Sequence, residues 1–259
     1  MAMDNNVFER IRAIKKEYRP LTNCYSLESL NSVSAFWECE NSFAYTFYDH
    51  GIERIIYFAV NEDELERLLK NTPCGKYYLE FLTKDKEEFS DILKNDSVVA
   101  KMQRVSNNDC GSVFANERVM QFEDDEIGKF AKIEDAHEIN EIMWGVFHTE
   151  ISHLLTDAEM EKAIERKEIT IHRNDQGNID GILQVVIKPK KFYTNQAYNC
   201  GEKKNINSML ISRIKEYYEA GGRYTFCWVD ENNIASLKWN EKYGMVPDGT
   251  WNMIYCLER

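Results

Sequence analysis

The residues best suited to chemistry lie between Asn199 and Met245. Within this stretch, a polar and basic segment containing Lys203 and Lys204 leads into a helical run. A helix N-terminus presents free backbone amides and the positive end of the helix dipole, which together bind anions such as phosphate. The segment therefore predicts an anion site, although an ordinary solvated helix entrance is the alternative. The predicted site comprises Lys203, Lys204, Asn205, Ile206, Asn207 and Ser208.

Elements on either side must hold this segment in place. Residues 192–198, which precede it, have the pattern of a strand. Apolar residues at spacings of three and four predict a helix from about Asn207 to Ala220. Gly221 and Gly222 end this helix, because glycine readily adopts the left-handed conformation found just past helix ends.

A second strand and a second helix follow. Residues 224–229 are apolar on both sides, which is typical of a central strand. Asn232 or Asn233 suits the N-cap of the next helix, and Gly244 suits its end. Alternating apolar residues from Trp251 to Leu257 then predict a last strand.

This order of strand, basic loop, helix, strand, Asn-capped helix and strand resembles the second half of the GNAT acyltransferase superfamily. In that family the loop has the pattern Arg/Gln-x-x-Gly-x-Gly/Ala, and its amides bind the pyrophosphate of acetyl-CoA. The aligned residues in this chain are 202–207, with Asn205 and Asn207 at the two glycine positions. Asn tolerates positive φ better than most residues, and anion binding needs amides and dipole field rather than glycine itself. The resemblance implies acetyl-CoA as a co-substrate bound by this segment.

The second helix supports the same resemblance. The family pattern there is Asn-x-x-Ala-x-x-x-Tyr-x-Lys-x-Gly-Phe. It aligns with Asn233, Lys242, Gly244 and Met245 of this chain. The resemblance therefore implies that Asn233 belongs to the cofactor site.

Asn240 stands where the family has a tyrosine that protonates the departing CoA thiolate. An amide cannot supply that proton. Solvent, Tyr243 or Tyr198 would have to do so instead. Asn240 would then donate a hydrogen bond to the sulfur or to pantetheine, the alternative being an ordinary helix residue. On this basis Asn240 is predicted as both a catalytic and a cofactor-binding residue.

The family joins an amine directly to the thioester, in a gap between two parallel strands that splay apart. The resemblance places these strands at 192–198 and 224–229, so that Ala197 and Tyr198 contact pantetheine. The acceptor pocket would include the loop 148–153, where a carboxylate or an imidazole can act as base directly or through water. Glu150 is the preferred candidate base.

The first part of the chain repeats the same order of elements. A hairpin at Asp49–Gly51, a strand, a helix preceded by Asn61 and a further strand precede the polar run 106–112, which predicts a linker. The predicted architecture is therefore α+β, with tandem GNAT-like domains at 1–112 and 118–259, each a mixed sheet flanked by helices. The N-terminal copy is degenerate, because acidic residues 62–64 would repel a pyrophosphate at the equivalent helix start.

Composition limits the possible partners. The net charge is −12 and the pI is about 5.0, which disfavours binding to nucleic acid and attraction to anionic membranes. We expect no membrane span, no signal peptide and no metal site. The cysteines number seven and form no Cys-x-x-Cys pair, which indicates reduced thiols and a cytoplasmic location.

The predicted function is acetyl-CoA-dependent N-acetylation of a primary amine on a small molecule, by a monomer or homodimer. Two alternatives come from other classes of protein. One is a transferase that takes an aminoacyl group from tRNA, which the negative charge disfavours. The other is a non-catalytic binding protein, which the replaced glycines and tyrosine favour.

Overall fold

The structure, a computed structural model, describes residues 2–24, 33–85, 92–124 and 127–259, with residues 2–6 by their backbone alone. The helices, in chain order, are α1 Ala2–Glu17, α2 Glu62–Lys70, α3 Glu117–Met120, α4 Ala136–Val146, α5 Asp157–Glu165, α6 Lys203–Glu219 and α7 Ile234–Glu241. The strands are β1 Leu21–Thr22, β2 Val33–Cys39, β3 Ser42–Asp49, β4 Ile52–Ala59, β5 Lys76–Thr83, β6 Ser97–Asn107, β7 Lys129–Phe130, β8 Ile169–Arg173, β9 Ile179–Lys188, β10 Lys191–Asn199, β11 Thr225–Asp230 and β12 Val246–Glu258.

The chain forms two compact units. Unit 1 comprises Met1–Lys101, Thr149–His153 and Trp251–Arg259. Unit 2 comprises Met102–His148 and Leu154–Thr250. The predicted α+β class, with mixed sheets flanked by helices, is confirmed in both.

These units differ from the predicted domains, 1–112 and 118–259. The residues 106–112 do not form a linker, because β6 extends to Asn107 and a 3-10 helix begins at Cys110. Residues 102–107 pair with β11 inside unit 2, whereas residues 251–258 pair with β5 inside unit 1. Strand edges need hydrogen-bond partners, and each unit completes its sheet with a segment distant in sequence.

Unit 1 has the strand order β2-β3-β4-β5-β12. β4 and β5 are parallel and pair at Arg54–Ile55 with Tyr78–Leu79, whereas the flanking pairs are antiparallel. Asn61 caps α2 by accepting a hydrogen bond from the backbone of Glu64, as the sequence indicates. The apolar face of α2 packs on this sheet through Leu65, Leu68 and Leu69.

The strand β1 occupies the place where β4 and β5 diverge. It pairs antiparallel with β4, Leu21 opposite Ala59 and Thr22 opposite Phe58. β3 already bonds one edge of β4, so β1 uses the edge that β5 has left. Asn23 continues this pairing through its side chain: its Nδ2 donates to the Ile55 carbonyl at 2.9 Å, and the Tyr57 amide donates to its Oδ1 at 3.0 Å. The parallel-strand gap of unit 1 is therefore filled by the chain itself.

Unit 2 has the strand order β6-β11-β10-β9-β8-β7. β10 and β11 are parallel, and the other pairs are antiparallel. α6 packs on one core cluster with Leu183, Val185 and Phe192, and α4 and α5 pack on another with Ile169 and Ile182. The predicted strands and helices between residues 192 and 258 are confirmed, except that α6 begins at Lys203 rather than near Asn207.

The filling of the unit 1 gap gives a prediction about stability. Asn23→Ala removes a side chain that is 2% exposed and leaves the Ile55 carbonyl and the Tyr57 amide without partners. Orphaned buried polar groups cost roughly 1–3 kcal/mol each, so we expect a loss of about 2–6 kcal/mol for the two. Urea unfolding measures it. The exposed Asn95→Ala in the same unit is the control, and an equal effect of both substitutions would contradict the prediction.

Candidate functional site

The predicted anion site lies at the start of α6. Glu202 is the N-cap residue in an extended conformation, and its side chain makes no capping hydrogen bond. The first turn contains Lys203 and Lys204, and Lys204 Nζ lies 3.6 Å from Asp124 Oδ2. A helix start without a side-chain cap, the positive dipole end and two cationic side chains therefore meet here, while the Asn205 amide donates to the Glu202 carbonyl at 3.0 Å.

The asparagines at the family's glycine positions have a different role from the one the sequence indicated. Asn205 and Asn207 lie inside α6, and neither has a positive φ. Their side chains are 5% exposed each, and Asn207 accepts hydrogen bonds from Trp239 Nε1 at 2.8 Å and from the Tyr243 hydroxyl. Tolerance of positive φ is therefore not needed here, and Asn207 instead ties α6 to α7.

Two neighbouring predicted residues are also buried. Ile206 is 7% exposed and Ser208 is 1% exposed. The Ser208 hydroxyl donates to the Asp124 carbonyl at 2.6 Å. Side-chain contacts of these residues hold the helix start in place. That their backbone amides bind a cofactor stays a prediction.

A polar network that the sequence did not indicate lies under the helix start. His172 Nδ1 is 2.5 Å from Asp180 Oδ1 and 3.1 Å from the Asn205 carboxamide. A Cβ at Gly201 would come within 2.2 Å of Asp180 Oδ2, so this position accepts only glycine without rearrangement. Gly201, two residues before Lys203, was the one sequence feature that could have indicated this network.

The parallel strands of unit 2 diverge as expected. β10 and β11 pair at Phe192–Thr194 with Thr225–Cys227, and a bulge follows Thr194. Beyond it, β10 keeps its pairing with β9 to Asn199, and β11 keeps its pairing with β6 to Asp230. Among the strands that the structure describes, none pairs with the two edges that face each other past this point.

Ala197 and Tyr198 lie on the diverging part of β10. Ala197 packs against the core under α6, and Tyr198 packs against the core under α4 and α5. A hydrogen bond to Cys200, together with burial, raises the pKa of the Tyr198 hydroxyl. Both residues therefore sit beside the gap, as the resemblance implied, and their contact with pantetheine stays a prediction.

Asn240 is buried, and both polar atoms of its side-chain amide have hydrogen-bond partners. It is 1% exposed, its Nδ2 donates to the Ser236 carbonyl at 2.9 Å, and its Oδ1 accepts from Cys227 Sγ at 3.2 Å. Burial raises the pKa of the Cys227 thiol to about 12, so this group stays protonated and donates. Asn240 links α7 to β11, and Asn233 caps the same helix by accepting from the Ser236 amide at 3.0 Å.

The two tyrosines left open as proton donors differ in exposure. Tyr243 is 1% exposed, and burial raises the pKa of its hydroxyl, which donates to Asn207. Tyr198 is half-buried. Of the two, only Tyr198 is partly exposed.

Glu150 lies in unit 1, on the segment Thr149–His153, whereas the diverging strands lie in unit 2. Arg54 holds this segment by donating to the carbonyls of Thr149 at 2.7 Å and Glu150 at 3.3 Å. The Glu150 side chain is half-buried. Its role as the base stays a prediction.

The same segment carries His153 into a cluster of charged groups, the ionic cluster, in unit 1. His153 Nδ1 is 3.2 Å from Asp49 Oδ2, and its Nε2 is 2.9 Å from Glu80 Oε1. Arg54 contacts both carboxylates, at 2.5 Å from Asp49 and 3.3 Å from Glu80. Asn252 Nδ2 donates to the other oxygen of Glu80.

Opposite charges dominate the titration of this cluster. Burial raises the pKa of Glu80. The charge and hydrogen bond of His153 and the charge of Arg54 outweigh this effect and lower the pKa to about 2. Desolvation lowers the pKa of His153, but Glu80 and Asp49 raise it to about 9. The same partners lower the pKa of Asp49. His153 is therefore an imidazolium at neutral pH.

Metal sites and membrane helices were both expected to be absent. In the part of the chain that the structure describes, no group of three or more His, Cys, Asp or Glu residues is arranged to hold a metal ion. No helix in the described ranges has the length and apolar character needed to cross a membrane.

No protein-family model and no curated protein sequence matches the chain. Several solved structures are similar. A GCN5-related N-acetyltransferase from Sphaerobacter thermophilus aligns with a TM-score of 0.52 and 11% identity, over 84% of this chain and 76% of that one. A tandem GNAT protein from the clavulanic acid biosynthesis pathway aligns at 0.52 and 10%, over 90% and 86%. The chain has a tandem GNAT fold.

A GNAT-family acetyltransferase from Colwellia psychrerythraea is similar to the same degree. It aligns with a TM-score of 0.53 and 10% identity, over 86% of this chain and 84% of that one. The elements from β7 to β12 follow the order that the sequence resemblance implied. The GNAT fold predicted from the sequence is confirmed.

The ionic cluster predicts how stability depends on pH. The pKa of His153 rises from 6.5 to about 9 on folding, so its contribution is complete below pH 6.5 and lost as pH rises through 9. The pKa of Glu80 falls from 4.5 to about 2, so its contribution is complete above pH 4.5 and lost towards pH 2. The Tm difference between wild type and His153→Ala should therefore be largest between pH 4.5 and pH 6.5, and it should vanish near pH 10.

The control is His137→Ala, which breaks a histidine–carboxylate contact on an exposed helix surface. The His137 side chain is 73% exposed, so we expect a small effect that added salt removes. A His153→Ala difference that is constant from pH 5 to pH 10 would show that the ring contributes by packing rather than by charge.

Proposed function

We propose that the protein is an acetyl-CoA-dependent N-acetyltransferase that uses the cleft between β10 and β11. The observation that carries this proposal is the contrast between the units. Both contain a parallel pair that diverges, but in unit 1 the strand β1 and Asn23 fill the gap. In unit 2 no described strand does so, and a basic helix start follows β10 directly.

The groups present at this cleft fit the two ends of the cofactor. Unpaired strand amides and carbonyls past Thr194 match the peptide-like amides of pantetheine. The amides at the start of α6, with Lys203 and Lys204, match the pyrophosphate. A peptide-like group already bonds the equivalent edge in unit 1, where the Asn23 carboxamide spans Ile55 and Tyr57.

The reaction requires a direct attack. The neutral amine nitrogen bonds to the thioester carbon, the C–S bond breaks, and the CoA thiolate takes up a proton. Holding both reactants can supply about 7–11 kcal/mol at best, through effective molarity. The ammonium must first lose its proton to a base, for which Glu150 stays the proposed residue. Because the Asn240 amide and the Tyr243 hydroxyl already have partners, solvent or Tyr198 supplies the final proton.

The acceptor is a primary amine on a small molecule. The protein acts as a monomer or homodimer in the cytoplasm, without a metal and without nucleic acid. The fold shared with acetyltransferases supports an amine acceptor, and the net charge of −12 supports the absence of nucleic acid.

Calorimetry with acetyl-CoA tests the proposed cofactor site. We expect one equivalent per chain, and Lys203→Glu with Lys204→Glu should abolish it by placing negative charge at the helix start. Lys188→Glu with Lys190→Glu is the matched control, since it changes the charge of unit 2 equally at the opposite end of β10. Two equivalents per chain, or one site that survives the first reversal, would move the cofactor to unit 1.

The same titration distinguishes the alternatives. Aminoacyl-tRNA in place of acetyl-CoA should give no binding. Binding of the tRNA alone would support the aminoacyl transferase, and binding of CoA without turnover of any amine would support the non-catalytic protein. No CoA binding at millimolar ligand and low salt would refute the acetyltransferase.

The contacts of Asn240 predict a structural effect of its substitution. Asn240→Ala removes the hydrogen bonds to Ser236 and Cys227 at a site that is 1% exposed, so we expect a stability loss of about 1–3 kcal/mol. Turnover at a temperature where the variant is folded should fall less than the ~100-fold typical of a lost proton donor. A larger loss of kcat with unchanged CoA affinity would give Asn240 a chemical role.

A further inference from the structure

The polar network under the start of α6 contains a carboxylate at the place where an anion is proposed to bind. Asp180 Oδ2 lies 2.2 Å from the point that a Cβ at Gly201 would occupy, and Gly201 is two residues before Lys203. The Asp180 side chain is 12% exposed, so water screens its charge only in part. A bound pyrophosphate would therefore meet a fixed negative charge beside the helix start.

The charged side chains at this helix start do not by themselves favour an anion. Lys203 and Lys204 bring two positive charges. Glu202 is the N-cap residue, and Asp124 Oδ2 lies 3.6 Å from Lys204 Nζ. With Asp180, these described residues bring three carboxylates against two ammonium groups, and the helix dipole adds only about half a positive charge. An anion site at this position therefore requires that the charge of a carboxylate be offset.

His172 is the residue that contacts the Asp180 carboxylate. Its Nδ1 is 2.5 Å from Asp180 Oδ1, a distance that requires a proton between the two atoms. Nδ1 therefore carries the hydrogen and donates it to the carboxylate. A donor directed at a carboxylate offsets part of its field. The Asn205 carboxamide lies 3.1 Å from the same ring nitrogen, so the ring is held against the first turn of α6.

The charge of Asp180 also acts on the diverging strands. A hydrogen bond to Cys200 is the largest cause of the raised pKa of the Tyr198 hydroxyl, followed by burial and by the charges of Cys200 and Asp180. Tyr198 lies on β10 past the bulge, beside the gap. The carboxylate therefore influences the end of the gap that leads into α6.

We propose that His172 is a positioning residue of the cofactor site, which offsets the charge of Asp180 so that the pyrophosphate of acetyl-CoA binds at the start of α6. This inference rests on the proposed function. The Asp180 backbone carbonyl accepts from the amides of Cys200 at 2.9 Å and Gly201 at 3.2 Å, and these bonds do not involve its side chain. Substitutions at the two side chains therefore change the charge while the loop keeps its backbone contacts.

Calorimetry with CoA at neutral pH and low salt tests the proposal. His172→Ala leaves the carboxylate without its donor, so the affinity for CoA should fall about ten-fold or more. Asp180→Asn in the His172→Ala background removes the charge and should restore the affinity to within about three-fold of wild type. A purely structural role gives no such rescue, because the double variant restores none of the lost contact. His137→Ala, which breaks the contact with Asp157 elsewhere in unit 2, is the matched control and should bind CoA as wild type does.

Salt provides a second measurement, because it screens repulsion between charges but not packing. Raising the salt concentration from about 0.02 M to about 0.3 M should reduce the difference in CoA affinity between wild type and His172→Ala. Asp180→Asn alone keeps the ring and should bind CoA at least as tightly as wild type. This variant tests the proposal even if His172→Ala does not fold.

The proposal is overturned if His172→Ala folds and binds CoA as wild type does, or if Asp180→Asn restores no affinity in that background. It is also overturned if Asp180→Asn alone weakens binding by about ten-fold or more. In each of these cases wild type still binds CoA, so the proposed cofactor site stands. A wild type that binds no CoA gives a different result, since it refutes the acetyltransferase and this inference together.

Discussion

Backbone hydrogen bonding at a diverging pair of parallel strands is the constraint on which the rest of this structure depends. Where two strands separate, both facing edges lose their partners, and buried amides and carbonyls without partners are costly. Unit 1 meets this requirement internally with β1 and Asn23. In unit 2 no strand within the described ranges pairs with the corresponding edges. One architectural feature thus separates a structural half from a candidate catalytic half.

Buried charge organises unit 1 in a second way. Arg54 is 3% exposed and contacts two carboxylates and two backbone carbonyls. Its desolvation is offset only because all of these acceptors converge on one guanidinium. The arrangement fixes the segment that carries Glu150 and His153, so the position of the candidate base depends on an arginine distant in sequence.

Asn205 and Asn207, at the start of α6, take the positions of the two glycines in the family's loop pattern, and the chain still forms a helix start there. Asn205 contacts His172, and Asn207 accepts from Trp239 and Tyr243 of the neighbouring helix. These side chains hold the first turn against the sheet and α7, while its amides stay at the helix entrance. The flexibility that glycines give other loops is unnecessary where the helix begins earlier, at Lys203.

Local patterns in the sequence determined the class of fold, most of the strands and helices of unit 2 and the basic helix start. Periodicity and capping residues such as Asn233 act over a few residues, so they can be recognised without the fold. Tertiary structure alone decided the other features. The pairing of Asn23 with β4, the meeting of Asp49, Glu80 and His153, and the exchange of residues 102–107 and 251–258 join segments far apart in the chain. Such contacts depend on which strand edges and charges remain unsatisfied after the sheets form, and no local pattern records that.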